Sequence, residues 1–136
     1  MNRADLQRLS RTRSREARAL LDAKYPSGAY YLAGYSVECA LKACLAKQTR
    51  RYDFPDKRNV LQSYTHNLHD LLHHANLETA MLMDSAGVLA LGDNWIKAKE
   101  WSELSRYQEK TQSEAEQLLR AILGKNGVLP WLMQRW

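Results

Sequence analysis

The sequence has no long hydrophobic run. No stretch approaches the roughly 18 apolar residues that a membrane-spanning helix needs. Residues 1–5 lead directly into a charged, periodic segment, without the apolar core of a secretory signal. We therefore expect a cytoplasmic protein that does not associate with a membrane.

Cysteine is also scarce, and its placement excludes an internal disulfide. Cys39 and Cys44 lie five residues apart in one predicted helix. Their side chains would point about 140° apart and lie about 7.5 Å apart along the axis, so they cannot bridge. We predict two reduced, buried thiols.

Several catalytic motifs are missing as well. The chain has no glycine-rich phosphate loop, no Gly-x-Ser-x-Gly elbow and no Cys-x-x-Cys pair. These absences argue against dinucleotide binding and serine-based hydrolysis, and no cofactor or metal is expected. The 136 residues, 45% of them hydrophobic, suffice for a single domain spanning 1–136.

Apolar residues recur at helical spacing along the chain, and no alternating strand pattern is present. The predicted principal helices are Arg3–Lys24, Ala29–Lys47, Leu77–Leu91 and Arg106–Leu123. A short helix from Asn67 to Ala75, a long loop from Gln48 to Thr65 and a packed apolar tail from Val128 to Trp136 complete the chain. The fold class is therefore predicted to be all-α, an antiparallel up-down bundle of four principal helices with short extra helices.

Local signals predict where these helices end and which residues face inward. Gly92-Asp93 should end the helix that begins at Leu77, and a capping-box pattern at Ser105 and Gln108 should open the last long helix. The stretch from Asn94 to Leu104 is predicted to form a short helix or an ordered loop. The inward-facing set of these segments includes Ala23, Val88, Tyr107 and Thr111.

The second helix is predicted to be central, because small and apolar residues cover most of its circumference. Glu38 lies at the edge of its core face, and Lys42 follows at the favourable i, i+4 spacing for an ion pair. Glu38 could alternatively reach a buried arginine such as Arg106.

Three segments resemble the HEPN family (higher eukaryotes and prokaryotes nucleotide-binding). The aromatic, small-residue stretch 25–43 ends in Glu38-x-x-Leu41-Lys42, which is similar to the family's second helix. Thr65-His66-Asn67-Leu68 looks like its histidine segment, and Ser105-Arg106-Tyr107 looks like its Arg-Tyr pair. The three segments follow one another in the family's order.

This resemblance implies an up-down bundle, often dimeric, whose members act on RNA in toxin–antitoxin, phage-defence and CRISPR-associated systems. Some members pair with a small nucleotidyltransferase. Ribonuclease members carry an arginine, four to six residues, then a histidine. Here Arg58 is separated from His66 by seven residues, and no histidine follows Arg106.

Basic residues concentrate in the first helix: residues 1–24 contain seven basic and three acidic residues. This asymmetry suggests an acidic partner such as RNA, although a solvated helix face is the simpler reading. The arginines expected to attract nucleic acid are Arg8, Arg11, Arg15, Arg18, Arg50 and Arg51.

Histidines and aromatic residues supply the other candidate sites. His66, His69 and His73 should project within about 60° of one another on the short helix, as a polar stripe, a general base at His66 or a partial zinc site. Tyr31 and Tyr35 share a flank of the second helix with Glu38 and Lys42, and they either fill gaps or stack bases. Lys97 and Lys99 are flanked by Trp95 and Trp101. This tract either contacts single-stranded nucleic acid or forms a surface loop that the tryptophans anchor.

The leading functional expectation is a non-catalytic module that binds RNA, a nucleotide or a cognate protein, in a bacterial defence or toxin–antitoxin setting. Its expected ligand-binding residues are Glu38, Lys42, Tyr31, Tyr35, Arg106 and Tyr107. One alternative is a metal-independent ribonuclease that uses Arg106 or Arg58 with His66 or His69. Another is a purely structural subunit that pairs with a neighbouring-gene protein such as a nucleotidyltransferase. A homodimer through the second helix and the tail is expected.

Overall fold

The computed structural model describes residues 1–48 and 64–136, and these residues form helices and turns without any strand. The α-helices are α1 (Arg3–Asp22), α2 (Pro26–Lys47), α3 (Leu68–His74), α4 (Glu78–Gly87), α5 (Leu89–Lys99), α6 (Gln112–Leu123) and α7 (Val128–Met133). A 3₁₀ helix, Glu103–Tyr107, lies between α5 and α6. The all-α prediction is confirmed. Arg50, Arg51 and Arg58 lie outside the described residues.

Helix α1 begins at a reciprocal cap, in which the Asn2 side chain accepts the Asp5 amide and the Asp5 carboxylate accepts the Asn2 amide. It ends at Asp22, because Lys24 adopts a positive φ of 66° that no helix continues through. The predicted end at Lys24 was therefore two residues late, and Ala23 is exposed rather than inward.

Helices α1 and α2 form an antiparallel hairpin. Near the start of α1, the buried Ser10 hydroxyl donates to the Ser36 carbonyl at 2.7 Å. Near its end, Leu20 lies against Gly28, at the start of α2. From the first contact to the second, the position moves toward the C-terminus of α1 and toward the N-terminus of α2. The two helices therefore run in opposite directions.

Helix α2 is central, as predicted, and it begins three residues earlier than expected because Pro26 occupies its first turn. It packs against α1, α3, the 3₁₀ helix, α6 and α7. The Trp101 indole lies directly on Gly34, where a Cβ would overlap the ring. A glycine at this position allows the closest approach of the Trp101 segment to α2.

The predicted helix from Leu77 to Leu91 is interrupted three residues before its expected end. The chain breaks at Val88 (φ −131°, ψ 90°), and α5 then continues through Gly92 to Lys99. Gly92 caps nothing; its Cα faces Ser85 so closely that a Cβ would lie 3.2 Å from the serine Cβ, so it serves helix packing. Val88, at the break, is exposed.

The predicted start of the last long helix is also wrong. Ser105 is buried within the 3₁₀ helix, and the true capping box is Thr111 with Glu114, which opens α6 at Gln112. Tyr107 is consequently 76% exposed, and Thr111 is exposed too. Neither residue faces the core.

The apolar tail packs on the bundle. Its core residues are Leu129, Trp131, Leu132 and Trp136, all of which are buried. The Asp84 carboxylate accepts the Trp131 indole N–H and an Arg135 guanidinium N–H, each at 2.8 Å, which ties the tail to α4. Both the tail and α2 pack inside the bundle, and the homodimer expected through them stays a prediction. Within residues 1–48 and 64–136, no helix combines the length and apolarity that crossing a membrane requires.

Candidate binding site beside the second helix

A buried carboxylate lies at the centre of the candidate site. Glu38 is 2% exposed, and its Oε1 lies 2.8 Å from His66 Nδ1. Its Oε2 lies 3.7 Å from Lys42 Nζ, so the predicted i, i+4 pair is present. The suggested partnership with Arg106 is wrong, because that arginine is exposed on the 3₁₀ helix and stacks on Tyr107. A buried carboxylate needs such partners to offset its lost hydration.

His66 links three elements. It precedes α3 rather than lying on it, since Asn67 caps that helix. The Asn67 Oδ1 accepts the Asp70 backbone N–H at 3.0 Å. His66 Nδ1 contacts Glu38, and Nε2 lies 3.2 Å from Glu103 Oε2. The imidazole therefore lies between two carboxylates, one from α2 and one from the 3₁₀ helix.

The other histidines do not join this site. His69 is exposed on α3, and His73 Nδ1 lies 2.7 Å from Glu78 Oε2 on the next helix. The expected common projection of the three histidines is wrong, because His66 lies outside the helix. No cluster of three or more potential metal ligands occurs in the part of the chain that the structure describes.

Two tyrosines form an aromatic strip along α2. The rings of Tyr31 and Tyr35 are stacked, with centroids 6.1 Å apart and planes 14° from parallel. Tyr31 also stacks on Trp101 at 6.0 Å. Both tyrosines are partly exposed, and burial, followed by the neighbouring Cys39 and Glu38, raises the pKa of Tyr35. The two rings therefore pack against the core on one side and remain accessible to solvent on the other.

Arg106 and Tyr107 border this strip from the 3₁₀ helix. The Arg106 guanidinium carbon lies 4.9 Å from the Tyr107 ring centroid. The Tyr107 phenol, and to a smaller degree that of Tyr31, raises the pKa of Arg106. The guanidinium therefore stands close to tyrosines from both elements. We call the buried Glu38 and the more exposed Tyr31, Tyr35, Lys42, His66, Arg106 and Tyr107 the tyrosine–arginine site.

The arginines of α1 form a separate surface. Arg8, Arg11, Arg15 and Arg18 are all exposed, and at 100° per residue they project within about 80° of one another. Arg8 pairs with Asp5 at 2.7 Å, and the Arg11 guanidinium lies over Trp136 at 4.7 Å. This arginine stripe points away from α2, because Ser10 and Ala17 occupy the opposite, buried face of α1. It is not part of the tyrosine–arginine site.

The basic-aromatic tract around Trp95 and Trp101 is structural. Both tryptophans are buried, while Lys97 and Lys99 are exposed. A buried indole cannot stack on an incoming base, so the two tryptophans anchor this tract in the core, and a nucleic-acid contact through the two lysines stays a prediction.

Glu103 is the residue that sequence analysis missed. It is partly exposed and sits in the first turn of the 3₁₀ helix. Nothing in its local sequence distinguishes it from a surface acid, because its partner His66 comes from a distant part of the chain.

Comparisons with protein-family models, with curated proteins and with solved structures give no match to this chain.

Proposed function

We propose that this protein is a HEPN-like helical module, an up-down bundle, that binds RNA without cleaving it at the tyrosine–arginine site. The three motifs in family order support the assignment and its bacterial defence or toxin–antitoxin setting. The arginine stripe on α1 supplies attraction for the polyanion at a distance from the site itself.

The observation that carries this proposal is the Arg106–Tyr107 pair beside the Tyr31–Tyr35 strip. An exposed guanidinium stacked on an exposed ring offers a phosphate contact and a base-stacking face in one place. The stacked rings of Tyr31 and Tyr35 lie next to it, because Tyr31 also neighbours the Arg106 guanidinium. Single-stranded RNA, whose bases are free to unstack, fits such a surface.

The engagement of His66 supports a role without cleavage. A general base must offer a ring nitrogen within hydrogen-bond reach of the proton it removes. Both nitrogens of His66 face carboxylates, Glu38 and Glu103, instead. The histidine holds the 3₁₀ helix against α2 and so positions Arg106.

Fluorescence anisotropy with a labelled single-stranded RNA tests the proposal. Arg106→Ala/Tyr107→Ala should weaken binding at least tenfold, because each base stacked on an aromatic ring contributes about 1–3 kcal/mol. Arg120→Ala, which removes an exposed arginine on α6, is the matched control and should have little effect. Arg106→Lys should restore binding only in part, since lysine keeps the charge and loses the planar face.

The salt dependence of the same titration separates RNA binding from a purely structural role. Each phosphate contact contributes a slope of about −0.7 in log affinity against log salt for a single strand. Arg15→Glu/Arg18→Glu should give a shallower slope of log affinity against log salt than the wild type. Equal affinities of the Arg106→Ala/Tyr107→Ala and Arg120→Ala variants would refute the site, and undetectable RNA binding would favour the structural subunit.

A ribonuclease with a rearranged site is the second candidate, because Glu38 orients His66 at 2.8 Å as a catalytic carboxylate orients its histidine. In this reading Glu103 would have to withdraw from Nε2 before Arg106 and His66 could act together. Glu103→Gln, which removes the negative charge from Nε2, should then create or increase cleavage. We expect the variant to leave RNA intact.

A further inference from the structure

Arg13 of α1 lies on a different face of that helix from the arginine stripe. At 100° per residue, its side chain projects about 140–160° from those of the stripe and about 40° from that of the buried Ala17. Arg13 therefore stands at the edge of the face that α1 packs against α2. Its side chain is 32% exposed, so it reaches solvent from this edge.

The register of the α1–α2 hairpin puts Arg13 level with the two stacked tyrosines. Ser10 contacts Ser36, and Arg13 lies one turn further along α1, about 4.5 Å along the helix axis. Because the two helices are antiparallel, Arg13 is opposite the turn of α2 that precedes Ser36. That turn carries Tyr31 and Tyr35.

The two tyrosines lie between the 3₁₀ segment and α1 around the circumference of α2. Trp101 covers Gly34, and Cys39 projects about 140° away from Gly34, with both tyrosines at intermediate angles.

Arg13 lies on the Cys39 side of this strip. Burial is the largest cause that raises the pKa of Tyr35 and of Cys39, and the positive charge of Arg13 opposes the rise in both. The strip thus has Arg106 at the end nearer the 3₁₀ helix and Arg13 at the end nearer α1.

Glu16 orients the Arg13 guanidinium. Arg13 Nη1 donates to Glu16 Oε1 at 2.6 Å and to Oε2 at 2.7 Å. A guanidinium has five N–H groups, and the three on Nη2 and Nε remain outside this pair of bonds. Phosphate oxygens are well matched to such donors, and a carboxylate competes with phosphate for the same cation.

We propose that Arg13 binds a phosphate of the RNA at the end of the tyrosine strip opposite Arg106, and that Glu16 weakens binding by competing for the guanidinium. This inference rests on the RNA-binding function proposed above and names how the strand lies. An oligonucleotide crosses α2 from the 3₁₀ helix to α1, with its bases on the tyrosine rings and a phosphate at each end.

The two members of the ion pair should change RNA affinity in opposite directions, measured by fluorescence anisotropy with a labelled single-stranded RNA. Arg13→Gln should weaken binding about tenfold, the effect of losing a charge-assisted hydrogen bond to phosphate. It should also make the slope of log affinity against log salt shallower by about 0.7. Glu16→Gln should strengthen binding about threefold, because a partly exposed ion pair is weak and its loss frees the guanidinium.

Arg120→Gln and Glu116→Gln are the matched controls, because they make the same charge changes at exposed positions of α6. Both should bind RNA like the wild type. In Arg13→Gln/Glu16→Gln the gain from Glu16→Gln should disappear, since the arginine that it frees is absent. Circular dichroism should show unchanged helix content for every variant.

The outcomes separate this inference from the proposed function. Wild-type affinity of Arg13→Gln, with binding lost in Arg106→Ala/Tyr107→Ala, would overturn the role of Arg13 and leave the tyrosine–arginine site intact. A gain from Glu16→Gln that persists without Arg13, or that Glu116→Gln reproduces, would overturn the competition and indicate only overall charge. Undetectable RNA binding by the wild type would overturn the proposed function and this inference together.

Discussion

Two glutamate–histidine contacts in this protein have nearly the same length and very different surroundings. Glu38 and His66 meet at 2.8 Å, and Glu78 and His73 meet at 2.7 Å. The Glu38 side chain is 3% exposed, whereas that of Glu78 is 44% exposed. Exposed pairs are screened and contribute little to stability, while removing one partner of a buried pair leaves a charge without compensation. Burial, and not distance, therefore determines which of the two contacts contributes more to stability.

Loss of Glu38 should have the largest effect. Glu38→Ala removes a buried carboxylate that binds both His66 and Lys42, and it leaves a cavity in α2. We expect the free energy of unfolding to fall by about 3 kcal/mol, measured by urea denaturation. His69→Ala, at an exposed position of α3, is the control and should change it little. A larger loss for His69→Ala would contradict the packed position of Glu38.

Replacing the histidine of each pair should give the next largest difference in stability. His66→Ala leaves Glu38 buried with Lys42 alone at 3.7 Å, so we expect a loss of about 1–2 kcal/mol in the same assay. His73→Ala should leave the stability within experimental error, because both side chains of its pair with Glu78 are exposed to solvent. Equal losses would show that burial does not distinguish the two pairs.

The cysteines report on the same neighbourhood. Burial, and for Cys39 also the adjacent Glu38 charge, raises the pKa of each thiol to about 11. Neither thiol should react with iodoacetamide at pH 8 in the folded protein, and both should react after unfolding. Glu38→Gln should speed alkylation of Cys39 and not of Cys44, whose pKa does not depend on Glu38. Parallel acceleration of both would indicate general loosening of the fold instead.

The raised pKa values of the two thiols also lower the stability of the fold at alkaline pH. The folded pKa exceeds the unfolded value of about 8.5. The contribution of the neutral thiols is therefore complete below that value and is lost as the pH rises toward 11. Cys39→Ala/Cys44→Ala should flatten the decline of melting temperature over this interval. An unchanged decline would assign it to other groups.

The exposed pair should give the smallest effect, and only in acid. The His73 contact lowers the pKa of Glu78. Stability from this pair is present above the unfolded glutamate pKa of about 4.3 and is lost as the pH falls through the lower folded value. Glu78→Gln should match the wild type at pH 7 and lose less stability than it between pH 5 and 3. A marked loss at pH 7 would show that Glu78 is more than a surface partner.

The sequence was sufficient for features that depend on local spacing. The density of small residues around Gly34 predicted a central helix, and the i, i+4 spacing predicted the Glu38–Lys42 pair. The apolar content of the tail predicted its packing. Each of these follows from residues within one element.

Contacts between distant elements could not be predicted. His66 meets Glu103, and Trp101 covers Gly34, only because α2 gathers three separate segments around it. The break at Val88 and the exposure of Tyr107 were missed because competing local signals favoured other boundaries. Thr111–Glu114 and Ser105–Gln108 share the same capping-box pattern, and local sequence does not distinguish the one that opens α6.

The most direct test is a denaturing gel of a structured RNA incubated in EDTA with the wild type and with His66→Ala/His69→Ala, beside a native gel of the same samples. The tyrosine–arginine site predicts that the wild type retards the RNA on the native gel and that the RNA stays intact in both denaturing lanes. Cleavage by the wild type and not by the double variant would contradict a non-catalytic role and establish a metal-independent ribonuclease.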